Sequence, residues 1–220
     1  MDKIIASLIA ALGLAVSANA QDLSISTTVG YESTYVFRGT ELADDIFHGA
    51  VDIAFLDFYA GIWTAQPITG GEDNEIDFYA AYGFAASDLV SIDLGGTLYY
   101  YPEAGSSADE TTFEAYIGAA FDVILMPAVY VYYDFDLEVL TLEGSAGYSV
   151  PLSDVTSFDL GAYLGYIEPD EGEGQYYLGS TADVCYSFTV TSSGSIGIRF
   201  SNLKDGDSEF YWGAEFSAGF

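Results

Sequence analysis

Apolar side chains alternate with polar or small ones along most of the chain after residue 20. Between Ile76 and Phe84, for example, every second residue is apolar, and Asp77 and Gly83 lie among the residues in between. The segments 113–121 and 158–166 repeat the pattern. A period of two places neighbouring side chains on opposite faces of a β-strand. The alternation therefore predicts an all-β fold whose strands each have one apolar face.

Two all-β architectures are compatible with this alternation. In a soluble β-sandwich the apolar face forms the core, whereas in a transmembrane β-barrel it faces lipid and the other face lines a polar lumen. The strands favour the barrel, because bacterial barrels have an even number of strands and a tilted strand needs about ten residues to cross a bilayer. Twelve strand candidates can be delimited, at 22–38, 46–55, 57–65, 75–86, 88–101, 111–121, 126–136, 138–150, 155–167, 175–187, 190–201 and 208–220.

The connections and the aromatic residues also favour a transmembrane up-and-down antiparallel β-barrel. Barrels of this class have short turns on one rim and longer loops on the other. Short connections at 86–88, 122–123 and 151–154 accordingly alternate with longer ones at 67–74, 102–110, 168–174 and 202–208. Aromatic residues near both ends of an apolar face would form two interfacial girdles. Such pairs are Phe78 and Phe84, Phe113 and Phe121, Phe158 and Tyr166, and Trp212 and Phe220.

The first twenty residues have the features of a secretory signal peptide. Lys3 precedes an apolar run from Ile4 to Val16 that is too short for a transmembrane helix, and residues 18–20 read Ala-Asn-Ala, a cleavage site. We predict cleavage after Ala20 and one β-barrel domain over residues 21–220 in the bacterial outer membrane, in contact with its lipid. Phe220 closes an amphipathic strand and is typical of the signal that the barrel-insertion machinery reads.

Composition excludes several classes of function. The 34 Asp and Glu residues against four Lys and Arg give a net charge of −30, which excludes a nucleic-acid partner. Cys185 and His48 are the only residues of their types, so neither a disulfide framework nor a His/Cys metal centre is expected. Barrel enzymes depend on a positioned His with a nucleophile or an activated water, and the chain has no G-x-S-x-G motif. We therefore predict no enzymatic activity, no cofactor and no metal site.

Several motifs resemble those of the TorF family of porins. The Y-V-F-R-G motif at 35–39 is the most telling, and the segments 58–63 and 76–79 follow it in the same order. The segments 94–102 and 114–118 resemble the middle of the same family, so the resemblance covers essentially the whole mature chain. It implies an outer-membrane barrel with pore activity. The acidity of the loops departs from the family pattern.

If the apolar faces contact lipid, the opposite faces line the lumen and carry close to one acid per strand. The predicted inward acids are Glu32, Asp52, Asp57, Asp77, Asp93, Glu114, Asp134, Glu143, Asp159, Asp183 and Glu215. Arg38 and Arg199 are the only predicted inward bases, and barrel closure would place them on neighbouring strands of one wall near Glu32 and Glu215. They could form a constriction with a transverse field or only hold the wall together.

Acidic linings favour cations over anions. We therefore predict a porin for passive diffusion of small solutes that prefers cations. The predicted pore-lining or constriction residues are Arg38, Arg199, Glu32, Glu215, Glu114, Asp77, Tyr99 and Tyr116.

Two features leave alternatives open. Nine predicted inward tyrosines, at 59, 79, 99, 116, 130, 132, 163, 177 and 211, could line a track for an organic cation or a sugar, or could only fill a narrow barrel. The acidic loops lack a calcium-loop motif, so a solvated, repulsive surface is favoured over a cation site. The alternative function is a plugged structural or adhesive outer-membrane barrel with acidic, cation-binding loops.

Overall fold

The computed structural model describes residues 23–105 and 110–220. The predicted signal peptide therefore lies outside the described residues. The described residues form fourteen β-strands. The strands are β1 (Ser24–Glu32), β2 (Tyr35–Phe37), β3 (Thr40–Ala43), β4 (Ile46–Phe55), β5 (Phe58–Pro67), β6 (Glu75–Ser87), β7 (Val90–Tyr100), β8 (Thr111–Phe121), β9 (Ala128–Asp134), β10 (Val139–Pro151), β11 (Thr156–Pro169), β12 (Gln175–Ser187), β13 (Ser192–Leu203) and β14 (Ser208–Gly219). Within the same ranges there is no helix long and apolar enough to span a bilayer.

Twelve of the strands close into one antiparallel up-and-down barrel, as the sequence predicts. Each strand pairs with the next along the chain, and β1 closes the barrel by pairing with β14 on one side and with β4 on the other. Val29, for example, lies opposite Phe216 of β14 and opposite Gly49 of β4. The two remaining strands, β2 and β3, form a separate hairpin within the connection between β1 and β4.

The first predicted strand, 22–38, is six residues too long. The barrel strand ends at Glu32, and its pairing with β14 finishes where the Ser33 backbone N–H donates to the Trp212 carbonyl oxygen at 2.9 Å and the Ser33 hydroxyl accepts from the Trp212 N–H at 3.0 Å. Serine and threonine hydroxyls commonly end regular pairing by bonding to nearby backbone. Ser33 and Thr34 therefore interrupt an alternation that continues into β2.

The outward faces form an apolar belt with an aromatic girdle at each edge. Val29, Phe47, Leu164 and Ile198 are between 57% and 66% exposed, which is expected for side chains that contact lipid. Near one rim, rings contact each other in the pairs Tyr31–Phe47, Tyr31–Trp212, Phe113–Phe135, Tyr166–Tyr176 and Phe200–Phe210. Near the other rim, the pairs are Phe58–Tyr82, Tyr82–Phe84, Tyr186–Phe188 and Phe188–Phe216.

The two rims differ in the length of their connections. One, here called the turn rim, has connections of two to six residues, at 56–57, 88–89, 122–127, 152–155 and 188–191. The other, here called the loop rim, has three longer connections, 68–74, 101–110 and the segment 33–45 that contains the β2–β3 hairpin, and three connections of four or five residues, 135–138, 170–174 and 204–207. The asymmetry predicted from the sequence is therefore present, and the longest connection is the one that folds into a hairpin.

Candidate functional site

The inward face of the barrel is lined by carboxylates and tyrosines. Ten of the eleven predicted inward acids occupy strand positions that alternate with the exposed apolar residues. Several are deeply buried, among them Glu114, Asp134, Glu143 and Asp159. The exception is Asp57, which lies in the turn 56–57, where it accepts a hydrogen bond from Tyr82 at 3.3 Å. Strand parity does not extend through a turn, so the prediction for Asp57 was wrong.

The β2–β3 hairpin folds into the lumen at the loop rim. At its base, the Tyr35 hydroxyl donates to Glu75 Oε2 of β6 at 2.9 Å, and the Tyr35 ring lies 5.6 Å from the ring of Trp63 on β5. Ala43 forms a small buried cluster with Ile46 and Ala65 of the barrel wall. The base of the hairpin is therefore anchored to the wall by apolar contacts and one hydrogen bond to a carboxylate.

The tip of the hairpin reaches strands well away from its base. Arg38 donates from Nη1 to Glu114 Oε2 at 2.7 Å and from Nη2 to Glu114 Oε1 at 2.9 Å, a two-pronged ion pair with β8. Its guanidinium carbon lies 4.6 Å from the ring centroids of both Phe37 and Tyr132. Tyr99 also donates to Glu114 Oε1, at 3.2 Å. One carboxylate and two rings therefore hold the guanidinium, and Tyr99 holds the carboxylate.

The turn of the hairpin touches a third part of the wall. Arg38 and Gly39 both have positive φ, 49° and 84°, as the two central residues of a tight hairpin turn require. A Cβ on Gly39 would lie 2.8 Å from Tyr177 Cβ and 3.2 Å from the carbonyl oxygen of Asn202. The hairpin thus contacts β5 and β6 at its base and β8, β9, β12 and β13 at its tip, so it crosses the lumen.

The structure corrects the predicted position of Arg38. It is not on the barrel wall beside Arg199, because the chain leaves the wall at Ser33 and returns at β4. Arg199, by contrast, is on β13 as predicted. Its Nε contacts Glu32 Oε1 at 3.1 Å and its Nη1 donates to Asp183 Oδ1 at 3.0 Å. The two arginines therefore belong to separate ion-pair clusters, and Asp183, predicted only to face inward, is a second partner of Arg199.

The remaining predicted pore-lining residues are dispersed over the lumen. Glu215 faces inward and accepts from Ser217 at 3.3 Å. Asp77, on β6, is 9% exposed, and its Oδ1 has no hydrogen-bond partner among the described residues. Tyr116 shares a hydrogen bond of 2.9 Å with Tyr59. All eight predicted residues line the lumen or fill it, but they do not form one ring.

Many of the inward tyrosine rings lie over glycines of the neighbouring strand. Gly118 of β8 pairs with Tyr130 of β9, and a Cβ on Gly118 would lie 2.2 Å from Tyr130 Cε1. The same close approach occurs in the cross-strand pairs Gly61–Tyr79, Gly95–Tyr116, Gly165–Tyr177 and Gly179–Tyr163. Each glycine leaves room for the ring to lie along the wall instead of pointing to the barrel axis.

The single histidine and the single cysteine both lie on strands of the barrel wall. His48 faces inward, where its ring stacks on Trp63 at 6.2 Å. Cys185 is a free, half-buried thiol on β12. In residues 23–105 and 110–220, no group of three or more His, Cys, Asp or Glu side chains is arranged to hold a metal ion.

Acidic side chains surround the mouth of the lumen. Glu41, on β3, is exposed at the loop rim. Its pKa is raised by slight desolvation and then by the negative charges of Glu209, Asp44, Asp207 and Glu72. Carboxylates from three separate segments of the loop rim therefore lie close enough to influence one another.

A family model described as a bacterial protein of unknown function, Gcw_chp, matches residues 17–139. The chain belongs to the Gcw_chp family. The matched region of this Gcw_chp chain begins before β1 and ends at the start of β10, so it includes the hairpin, Arg38 and Glu114. No curated protein sequence matches the chain.

Solved structures resemble this Gcw_chp barrel in fold. The KdgM porin is 15% identical, with a TM-score of 0.62 over 90% of this chain and 99% of its own. The NanC porin is 13% identical, with a TM-score of 0.58 over 88% and 98% of the two chains. The COG4313 outer membrane channel from Pseudomonas putida F1 is 9% identical, with a TM-score of 0.59 over 93% and 99%. The Gcw_chp chain therefore has the fold of outer-membrane porins and channels.

Proposed function

We propose that the protein is an outer-membrane porin for passive diffusion of small solutes and that it prefers cations. The charge of the lumen carries the proposal. Ten carboxylates predicted from strand parity face inward, together with Glu75, whereas the bases on the inward side are Arg38, Arg199 and His48 among the described residues. Both arginines are already paired with carboxylates. The unpaired carboxylates leave a negative potential, which attracts cations and repels anions.

The same charge distinguishes the chain from one structural neighbour. One KdgM porin structure is a complex with disordered oligogalacturonate, which is a polymer of carboxylates. An acidic lumen would repel such a polyanion. The shared fold therefore supports a diffusion channel, whereas the charge of this lumen supports solutes of the opposite sign.

The packing of the tyrosines favours a lumen that contains water. Rings that lie over glycines such as Gly118 and Gly165 occupy the wall and leave the axis of the barrel free. Buried carboxylates such as Asp77 and Asp159 are also costly in a dry interior unless each is fully hydrogen-bonded. Lumen water would supply the partners that Asp77 Oδ1 lacks.

The route of the nascent chain is part of the proposal. A signal peptide cleaved after Ala20 would deliver the chain for export, and Phe220 would be read by the barrel-insertion machinery. The fold supports a porin-like barrel, and the resemblance of the Y-V-F-R-G motif to the TorF family stays a prediction. Edman sequencing of protein isolated from outer membranes tests the cleavage site directly, because the mature chain should begin at Gln21.

Conductance of the refolded mature protein in a planar bilayer tests the function. Under a KCl gradient we expect discrete current steps and a reversal potential close to the equilibrium potential of K⁺. An anion-selective reversal potential would contradict the acidic lumen as the selectivity element.

A plugged structural barrel is the second candidate, and the β2–β3 hairpin favours it. The hairpin contacts more than half of the twelve wall strands, including β5, β8 and β12. Heat-modifiable gel mobility shows whether the barrel is folded. If folded protein gives no current, the result supports the plugged barrel over the porin.

A further inference from the structure

We propose that the wall around Glu114 is a binding site for guanidinium-bearing solutes and that Arg38 occupies it as an internal ligand. The site consists of Tyr99 on β7, Glu114 on β8 and Tyr132 on β9, with Tyr177 beside it on β12. Binding of an external guanidinium would displace Arg38 and the tip of the hairpin. The route of such a solute through the barrel rests on the proposed function, whereas binding to the site does not.

The contacts of Arg38 define the chemistry of the site. A carboxylate that accepts two parallel N–H bonds, at 2.7 and 2.9 Å, matches the planar fork of a guanidinium and not the point charge of a simple ammonium. The Tyr132 ring, 4.6 Å from the guanidinium carbon, adds a cation–π contact from the wall. Tyr99 orients the carboxylate by donating to Glu114 Oε1.

The surroundings of Glu114 make the site a preformed one. Glu114 is 3% exposed with the hairpin in place, and the hydrogen bond from Tyr99 fixes its carboxylate to the wall. Tyr177, at the edge of the site, donates to Glu143 Oε2 at 2.6 Å. Four wall residues thus have positions set by the barrel itself, and only Arg38 and Phe37 come from the hairpin.

The backbone at Arg38 indicates that arginine is there for its side chain. Its φ of 49° lies in the left-handed region, where asparagine, aspartate or glycine is ordinarily favoured and an arginine is strained. Strained residues that persist in a fold commonly serve a functional contact. The Arg38 side chain, which makes the ion pair with Glu114, is the evident reason for its presence.

The hairpin is also built to release its tip. Its strands have three and four residues, with a register shift between Tyr35 and Val36, and an isolated two-stranded hairpin is marginally stable. Apolar contacts hold the base at Ala43, whereas the tip is held by a charged contact, the ion pair of Arg38 with Glu114. A competing cation would therefore act on the part of the hairpin that is held by charge.

Ligand-observed NMR with methylguanidinium tests the site on the folded mature protein in detergent. Wild-type protein should bind weakly, because Arg38 occupies the site. Arg38→Ala should bind at least about tenfold more tightly, as expected if the site is free in a tenth or less of the wild-type molecules. Tetramethylammonium, which has the charge but no N–H donors, should show no such gain.

Two double variants separate the site from the general charge of the lumen. Arg38→Ala combined with Glu114→Gln should lose the tight binding. Arg38→Ala combined with Asp159→Asn should keep it, because Asp159 is a similarly buried lumen carboxylate that is bonded to Ser149 and not to Arg38. Equal binding by wild type and Arg38→Ala, or binding unaffected by Glu114→Gln, would overturn the proposal.

Proteolysis of the chain with Arg38 intact provides a second test that does not need the alanine variant to fold. Chymotrypsin should cleave wild-type protein slowly after Phe37, and methylguanidinium should increase this rate. In Glu114→Gln the cleavage should be fast even without methylguanidinium. An unchanged cleavage rate in both cases would overturn displacement of the hairpin. Cation-selective current without methylguanidinium binding would support the proposed porin and overturn the guanidinium site. Methylguanidinium binding without cation-selective current would support the site and contradict the porin.

Discussion

At the scale of single residues, the lumen is organised by ion pairs that reach across glycines. Glu32 on β1 meets Arg199 on β13 by passing over Gly213 of β14, where a Cβ would lie 2.4 Å from the carboxylate. Asp183 approaches the same arginine over Gly197, with a corresponding distance of 2.2 Å. The small residues between the charged ones are therefore needed for the ion pairs to form.

Arg199→Ala is expected to destabilise the barrel. It leaves Glu32 and Asp183 without their positive partner, and loss of one member of a buried ion pair costs roughly 3 kcal/mol. The free energy of unfolding in urea, with detergent micelles, measures the effect. Lys204→Ala is the matched control, because Lys204 lies at the loop rim, 5.9 Å from the ring of Tyr176, and its loss should change stability little. Equal stability of Arg199→Ala and wild type would contradict the role of the cluster.

Gly118→Ala is expected to displace a tyrosine ring from the wall into the lumen. The added methyl would overlap Tyr130, and overpacking of this kind costs about 1–3 kcal/mol. We expect a lower free energy of unfolding and a smaller single-channel conductance. Gly144→Ala is the control, since its nearest neighbour would be the carbonyl oxygen of Ala128 at 3.9 Å. The interpretation fails if both variants behave alike.

At the scale of elements, the hairpin is an insertion into a barrel that is complete without it. Glu32 and Ile46 are already opposite each other in the β1–β4 ladder, so the pairing of β1 with β4 is complete without the segment 33–45. Its strands instead place Arg38 and Phe37 in the lumen. The wall and the hairpin are thus separate sheets, and we expect the wall to fold without the hairpin.

Replacement of residues 33–45 by Asn-Gly is expected to preserve the barrel and widen the pore. A two-residue Asn-Gly turn suits an antiparallel pair whose last residues are opposite each other. Single-channel conductance should rise, because the hairpin no longer crosses the loop rim, and the cation preference should persist, because the wall carboxylates remain. Unchanged conductance would mean that the hairpin does not narrow the path of ions.

At the scale of the whole molecule, negative charge is distributed over the lumen and its mouth. The net charge of −30 includes both the inward acids and the loop acids around Glu41. A field of one sign raises the local concentration of cations at the mouth and lowers that of anions. In the proposed porin, the mouth and the wall would therefore act in the same direction on a passing ion.

The cation preference is expected to fall as pH is lowered from about 7 to about 4, the range in which carboxylates take up protons. The pKa of Glu41 is raised by desolvation and by its acidic neighbours, so Glu41 is protonated at a higher pH than an ordinary glutamate. Reversal potentials in a KCl gradient measure the change. In Glu41→Gln the decline should begin at a lower pH, whereas a pH-independent preference would contradict a carboxylate origin.

The sequence by itself determined the barrel, its strands and the direction in which their side chains point. The period of two specifies the two faces of each strand, and the aromatic residues and loop lengths specify which face meets lipid and which rim carries the loops. The face of each side chain and the length of each connection are local properties of the sequence. They were sufficient here because most strands of the barrel pair with the next strand along the chain. Ten inward acids and nine inward tyrosines could be predicted on this basis.

Only the tertiary structure decided where the Y-V-F-R-G motif lies. Its alternation continues that of β1, and Ser33-Thr34 is the one local sign of a break. Whether the chain continues along the wall or turns into the lumen depends on contacts with residues distant in sequence, namely Glu75 for Tyr35, Glu114 for Arg38 and Asn202 for Gly39. The partners of Arg38 and Arg199 are set by the closed circumference of the barrel, which brings together side chains that no local pattern relates.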